Sequence, residues 1–321
     1  MEEVRWIETL ESCVAAIHQL VNEHEIAIDI EGVNLCRNGR ISIIQIANNK
    51  GHIYLFDITE LGKRAFYEGG LGFLLQSHQI LKVIFDGRTD NDALFHQYNV
   101  TMKNMYDLQV LYTLKFSSDH DEYLKGLDRC LQEAAALIPI GPVELKRMQQ
   151  IKKKGRSLFS PNGQGGGSYE IWDRRPLHPD LLEYAANDVK YMLPMKGAWL
   201  QDYPLLTLNN AVEQITQDRI DRAIHAEAPA QGSHMARRDF ELAQLTMDDS
   251  SSSASASRAR AAASSASFEP REEREVLSWV GNEHLVTRYN CEQFGMNDYC
   301  FDKYGYAMGL EHWWDDVEGD Y

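Results

Sequence analysis

Between residues 25 and 57 the chain reads as three short apolar runs parted by two turns, and no other stretch constrains the fold as much. Residues 25–31 are brief and apolar, residues 40–47 are rich in Ile, and residues 52–57 alternate Ile, Leu and Asp with larger groups. Asn38-Gly39 and residues 48–51 supply turn signals between them, so the three runs are expected to pair as an antiparallel meander. Residues 81–85 offer a fourth strand, and a short stretch around residues 105–107 follows. Helical spacing surrounds this block: Ile7, Leu10, Val14, Ile17 and Val21 predict a helix over residues 7–22. Further helices are expected at 90–98, 108–114, 124–136, 143–154, 179–200 and 208–226. Strands early and helices late around one sheet predict an α/β or α+β domain over residues 1–227.

Composition changes after that point. Residues 250–267 are almost wholly Ser, Ala and Arg, which cannot bury enough apolar surface to offset the entropy of ordering them. A disordered linker is expected over 228–275. Residues 276–321 are acidic yet rich in Trp, Tyr and Phe, and read as a small docking segment for a protein partner or one that folds back on the main domain. Of the net charge of −16, more than half lies beyond residue 227, where 8 Lys and Arg face 17 Asp and Glu. That balance excludes a generally basic protein that coats nucleic acid, but not an enzyme acting on it. No apolar run approaches a membrane span, and the acidic start lacks the layout of a signal peptide. Five scattered cysteines without a CxxC pair suggest reduced thiols, so an intracellular protein is expected, nuclear or cytoplasmic.

Three pieces of the sequence carry carboxylates with suggestive spacing. Asp29 and Glu31 lie two apart on an apolar strand, so period two puts both on one face of a sheet. Acids so placed repel each other unless they point to water or a proton or cation sits between them. Tyr184 and Asp188 lie four apart and stack on one helix face beside Leu181, Ala185 and Val189. Asp90 opens a helix and reads as its N-cap, with Asp86 and Asp92 near enough to compete for any chemical role. Hard divalent cations prefer such oxygen donors.

In this order the pieces resemble the three exonuclease motifs of the DEDDy branch of the DnaQ-like superfamily. Ile171-Trp-Asp-Arg-Arg-Pro-Leu177, followed by Leu182-Glu-Tyr-Ala-Ala-Asn-Asp-Val189, is similar to the ribonuclease D signature around its third motif. Asp29-Ile-Glu-Gly-Val-Asn-Leu35 with Gly39-Arg-Ile-Ser-Ile-Ile-Gln-Ile46, and Phe85-Asp-Gly-Arg-Thr-Asp-Asn-Asp-Ala-Leu94, resemble the subgroup of Egalitarian and the exonuclease 3′-5′ domain-like proteins. The resemblance spans residues 5–205. It implies a ribonuclease H-like fold, a mixed five-stranded sheet flanked by helices. It also implies Mg²⁺ or Mn²⁺, two ions, held by Asp29, Glu31, Asp90 and Asp188, with Tyr184 orienting the attacking water. The implied activity is 3′-5′ hydrolysis of single-stranded nucleic acid to nucleoside 5′-monophosphates, RNA favoured over DNA. Some members of the subgroup have lost carboxylates and serve as RNA-binding adaptors, which is the alternative function.

The dense basic cluster before the third motif includes Lys152, Lys153, Lys154 and Arg156. It reads either as a solvated helix face or as a guide for the phosphate backbone. The glycines of residues 162–168 lack a Gly-Lys-Ser/Thr, so they form no P-loop. In the resemblance the region of Arg174 and Arg175 packs the third-motif helix, with substrate contact as the alternative role. His284, Cys291, Cys300 and His312 fit no finger spacing.

Overall fold

The computed structural model describes residues 3–117, 122–138, 140–161, 166–201, 205–229 and 233–237. Six strands, β1 (Glu3–Ile7), β2 (Glu25–Val33), β3 (Arg40–Asn48), β4 (His52–Asp57), β5 (Leu81–Ile84) and β6 (Met105–Asp107), make one mixed sheet in the order β1-β4-β3-β2-β5-β6. The meander is present: β2 and β3 are antiparallel, as are β3 and β4. The outer pairs β1 with β4, β2 with β5, and β5 with β6 are parallel. The sheet therefore has one strand more than the family resemblance implied. The extra strand, β1, absorbs the start of the first expected helix, and α1 covers only Leu10–Leu20. Thr9 explains that boundary: its hydroxyl accepts from the Ser12 N–H, and the Ser12 hydroxyl accepts from the Thr9 N–H, a reciprocal cap that starts the helix there.

Short helices α2 (Ile58–Leu61), α3 (Arg64–Tyr67) and α4 (Leu71–Gln76) bridge β4 to β5 and were not legible as separate turns. After α5 (Arg88–Tyr98) come α6 (Leu108–Phe116), α7 (Leu127–Ala134), α8 (Pro142–Phe159), α9 (Pro179–Lys190), α10 (Met192–Leu200) and α11 (Leu205–His225). The expected 179–200 helix is thus two helices that meet at Tyr191. Alternation along β2 splits the core in two. Ile26, Ile28 and Ile30 pack with α1, α4 and α5 on one face of the sheet. Ala27 faces the other core, with Tyr184 and Ala185 of α9. Asp29 and Glu31 share Ala27's side by period two, which aims both acids at α9.

The linker and tail expected over 228–275 and 276–321 lie almost wholly outside the described residues. Within that range residues 233–237 bond to the main domain. The Met235 carbonyl accepts from Arg88 at 2.8 Å, and the Ala236 carbonyl from the Leu124 N–H at 2.8 Å. Among the described residues no helix is long and apolar enough to cross a membrane. Cys13, Cys36 and Cys130 are buried free thiols.

Candidate active site

The β2 strand bulges immediately after the second acid. Glu31 pairs with Ile43 but Gly32 pairs with Ile41, and a Cβ on Gly32 would lie 2.0 Å from the Arg40 carbonyl oxygen. Only glycine fits, so the bulge ends the regular ladder where the strand presents Glu31. From the other side, α9 brings Tyr184 and Asp188, both buried. Asp29, Glu31 and Asp188 each offer a carboxylate oxygen, and the three oxygens lie within 4.8 Å of one another.

Like charges this close, on half-buried Asp29 and Glu31 beside buried Asp188, resist ionisation. Burial raises the Asp29 carboxyl to about 6, against the pull of the Lys152 ammonium. Burial, and then the Asp29 charge, raise Glu31 to about 8. Asp90 is also buried, and desolvation together with the charges of Asp29, Asp86 and Glu31 pushes its carboxyl well up. It does not cap α5 as expected. The helix begins at Arg88, and Asp90 stands in its first turn, within the field of the other acids but outside their tight group. Its two rivals are engaged elsewhere: Asp86 pairs with Arg88 at 2.5 Å and Asp92 with Arg37 at 2.6 Å.

The donor set suits a divalent cation. All three close ligands are hard oxygens, and Asp188 Oδ2 is buried without a hydrogen-bond partner in the protein. Tyr184 sits in an aromatic wall, 5.2 Å from the Phe159 ring and 6.1 Å from Trp172. Burial raises its phenol above the ordinary value, so it stays protonated, and it shares a hydrogen bond with the Arg156 side chain. Helix α8 comes close enough for this through Gly155, where a Cβ would lie 2.4 Å from Tyr184 Cδ2.

The basic cluster divides. Lys153 and Lys154 are exposed on α8, whereas Lys152 is only 7% exposed. Its ammonium contacts Asp188 Oδ1 and lies 3.9 Å from the centroid of the Tyr184 ring. Arg156 pairs with Asp128 at 2.6 Å. Lys152, Lys153, Arg156 and Asp128 line a cleft of about 570 Å³ between α7 and α8. Arg175, expected to pack the third motif, pairs with the buried Asp57 at the end of β4. Arg174, which precedes it, is exposed, and its backbone N–H donates to the Ile171 carbonyl at 3.2 Å. Gln45 was missed by sequence reasoning. It lies directly across from Asp29 on β3, fully buried, and neither amide atom meets a protein partner.

The profile of the family described as 3′-5′ exonuclease matches residues 4–199, and the chain belongs to that family. Within it, the chain is 37% identical over 188 residues to human piRNA biogenesis protein EXD1, covering 59% of this chain and 34% of that protein. The Egalitarian protein homolog of Caenorhabditis elegans is 25% identical over 149 residues, covering 45% of this chain and 24% of that one. The chain thus spans about a third or less of the length of these two curated relatives. Among solved structures, Trypanosoma brucei RNase D in complex with GMP matches with a TM-score of 0.60 and 25% identity, over 76% of this chain and 72% of that one. The same enzyme in complex with RNA U12 matches with a TM-score of 0.60 and 24% identity, over 76% and 79%.

Proposed function

We propose that the chain is a metal-dependent 3′-5′ exonuclease that hydrolyses single-stranded nucleic acid, RNA in preference to DNA, to nucleoside 5′-monophosphates. The observation that carries the reading is the convergence of Asp29, Glu31 and Asp188 within 4.8 Å, between a strand and a helix that both lie in the part of the chain matching the 3′-5′ exonuclease family. The RNA preference rests on its relatives, named for piRNA biogenesis and for a ribonuclease seen with RNA.

Asp29, Glu31 and Asp188 would hold one Mg²⁺ or Mn²⁺, and Asp29 with Asp90 a second. Bound there, such ions would supply Lewis acidity and make a bound water more acidic than bulk water. The chain's own groups do the rest. Tyr184, held as a neutral phenol by burial, orients the attacking water, one helical turn from Asp188. Lys153, Lys154 and Arg156, with Lys152 beside them, would draw the phosphate backbone along α8. Residues 1–227 would form the nuclease, and 276–321 a protein-docking segment beyond the 228–275 linker.

The test is incubation of the full chain with 5′-labelled single-stranded RNA or DNA in Mg²⁺, Mn²⁺ or EDTA. Stepwise shortening from the 3′ end, faster on RNA and abolished by EDTA, is expected. Tight RNA binding without cleavage in any metal would replace this reading with that of a non-catalytic adaptor.

A further inference from the structure

The buried stripe of α8 runs Met148, Ile151, Lys152, Gly155, so a lysine occupies a position that its helix spacing assigns to the interior. A buried ammonium is costly unless it is paired, and Lys152 is paired with the very carboxylate the metal site needs. Its nitrogen contacts Asp188 Oδ1, stands 3.9 Å from Asp128 Oδ1 and lies over the Tyr184 ring. The neighbouring stripe residue shows that α8 does not need this charge in order to reach α9, because Gly155 makes the close approach to Tyr184 by itself.

Resting on the metal-dependent reading above, we propose that Lys152 is an exchangeable cation of this site, one that holds Asp188 in the metal-free protein and yields the carboxylate when a divalent ion binds. A unit positive charge on Asp188 Oδ1 and a double one on its Oδ2 would repel each other across a largely desolvated carboxylate, which favours release of the lysine when the ion binds. The lysine also has somewhere to go. It lines the cleft of about 570 Å³ between α7 and α8, beside Lys153 and Ser157, so its flexible stem can swing its charge from the acids into that cleft. There the ammonium meets the region through which a phosphodiester backbone would approach. Lys152 thereby sets the affinity for the ion that Asp188 helps to hold: that ion must displace an internal competitor, and its apparent affinity is scaled by the fraction of molecules in which Asp188 is free.

Titration of Mn²⁺ into the full chain and into Lys152→Met and Lys152→Gln tests this. Apparent Mn²⁺ affinity is expected to rise by about tenfold or more in both variants, because the competing state is removed. The melting temperature of the metal-free variants is expected to fall. A second readout needs no variant. Reductive methylation with formaldehyde and cyanoborohydride, read by mass spectrometry, should leave Lys152 unmodified without metal and modify it at saturating Mn²⁺. Should the variants fail to fold, this footprint decides alone. Equal or weaker Mn²⁺ binding in folded variants, or a lysine still protected at saturating Mn²⁺, overturns the exchange and leaves the nuclease reading standing. If wild type and variants alike bind no Mn²⁺, the metal-dependent reading falls and this inference falls with it.

Discussion

At the scale of single residues, the acids were legible because two periods suffice to group them. Period two aligns Asp29 with Glu31, and one helical turn aligns Tyr184 with Asp188. The pairing of these two groups needed only the family order. Gln45 was not legible, because its place opposite Asp29 depends on the register across the hairpin and on the bulge at Gly32. Lys152 was hidden inside a run of lysines, although its spacing from Met148 and Ile151 was a usable signal. Asp29→Asn is expected to abolish hydrolysis while keeping the fold, since it removes one of several clustered, mutually repelling acids. Wild-type degradation rates in the purified variant would remove Asp29 from the site. Tyr184→Phe is expected to lower turnover by about a hundredfold, the scale of losing a positioning group. Mn²⁺ affinity should hardly change, because a neutral phenol is a poor ligand for such ions. Single-turnover rates beside Mn²⁺ titration separate the two effects, and a large loss of metal binding would contradict the positioning role.

At the scale of elements, β2 to β5 and the long helices followed from their periodicity, and the failures have local causes. The strand β1 is short and lies at the sheet edge, where Val4 is exposed, so its apolar signal is weak. Helix α5 starts two residues earlier than expected, at Arg88 after Gly87, which puts Asp90 in the first turn rather than at the cap. Strand β5 contains an unexpected burden. Lys82 is fully buried and donates to the Ser77 and Ile80 carbonyls, yet burial lowers its ammonium from 10.5 to about 7. Between those values the unfolded chain binds a proton that the folded chain does not, so stability contributed at this site rises with pH across that window. The cost is fully present below about 7 and vanishes above 10.5. Urea midpoints of Lys82→Met should therefore gain on wild type as the pH is lowered from near 10 to near 7. A gap that stays constant over that range would show that the amine is charged in both states.

At the scale of the whole molecule, α11 closes the structure in a way that no local pattern announced. Its Arg219 reaches back to Asp107 at the end of β6, at 3.3 Å, and Thr216 accepts the Asp107 N–H at 3.2 Å. Arg37, from the β2–β3 connection, donates to the carbonyls of Ala223, Ile224 and Ala226, so the first hairpin caps the last long helix. Each contact joins residues more than a hundred positions apart, and pattern reading within a window cannot find them. The bonds of Met235 and Ala236 to Arg88 and Leu124 extend the same closure to the end of the described residues.

This closure predicts where the chain can be shortened. Removing α11 would take Val212 and Ile215 out of one core and Ile220 and Ile224 out of the other. It would also leave Asp107 buried without the Arg219 guanidinium. Breaking a buried ion pair from one side costs about 3–5 kcal/mol. Each lost aliphatic contact adds about 1.5–3 kcal/mol, and together these rival the whole stability of about 5–15 kcal/mol typical of a domain. A chain ending at Gln201 is therefore expected to be insoluble or to show no cooperative unfolding. A chain ending at Arg237 keeps every contact named above, and it should melt cooperatively and retain the metal-dependent shortening of RNA expected of the full chain. Thermal melts and the labelled-RNA assay on the two truncations check this. Loss of folding in the chain ending at Arg237 would show that residues beyond it are needed, and cooperative folding of the chain ending at Gln201 would show that α11 is dispensable to the core.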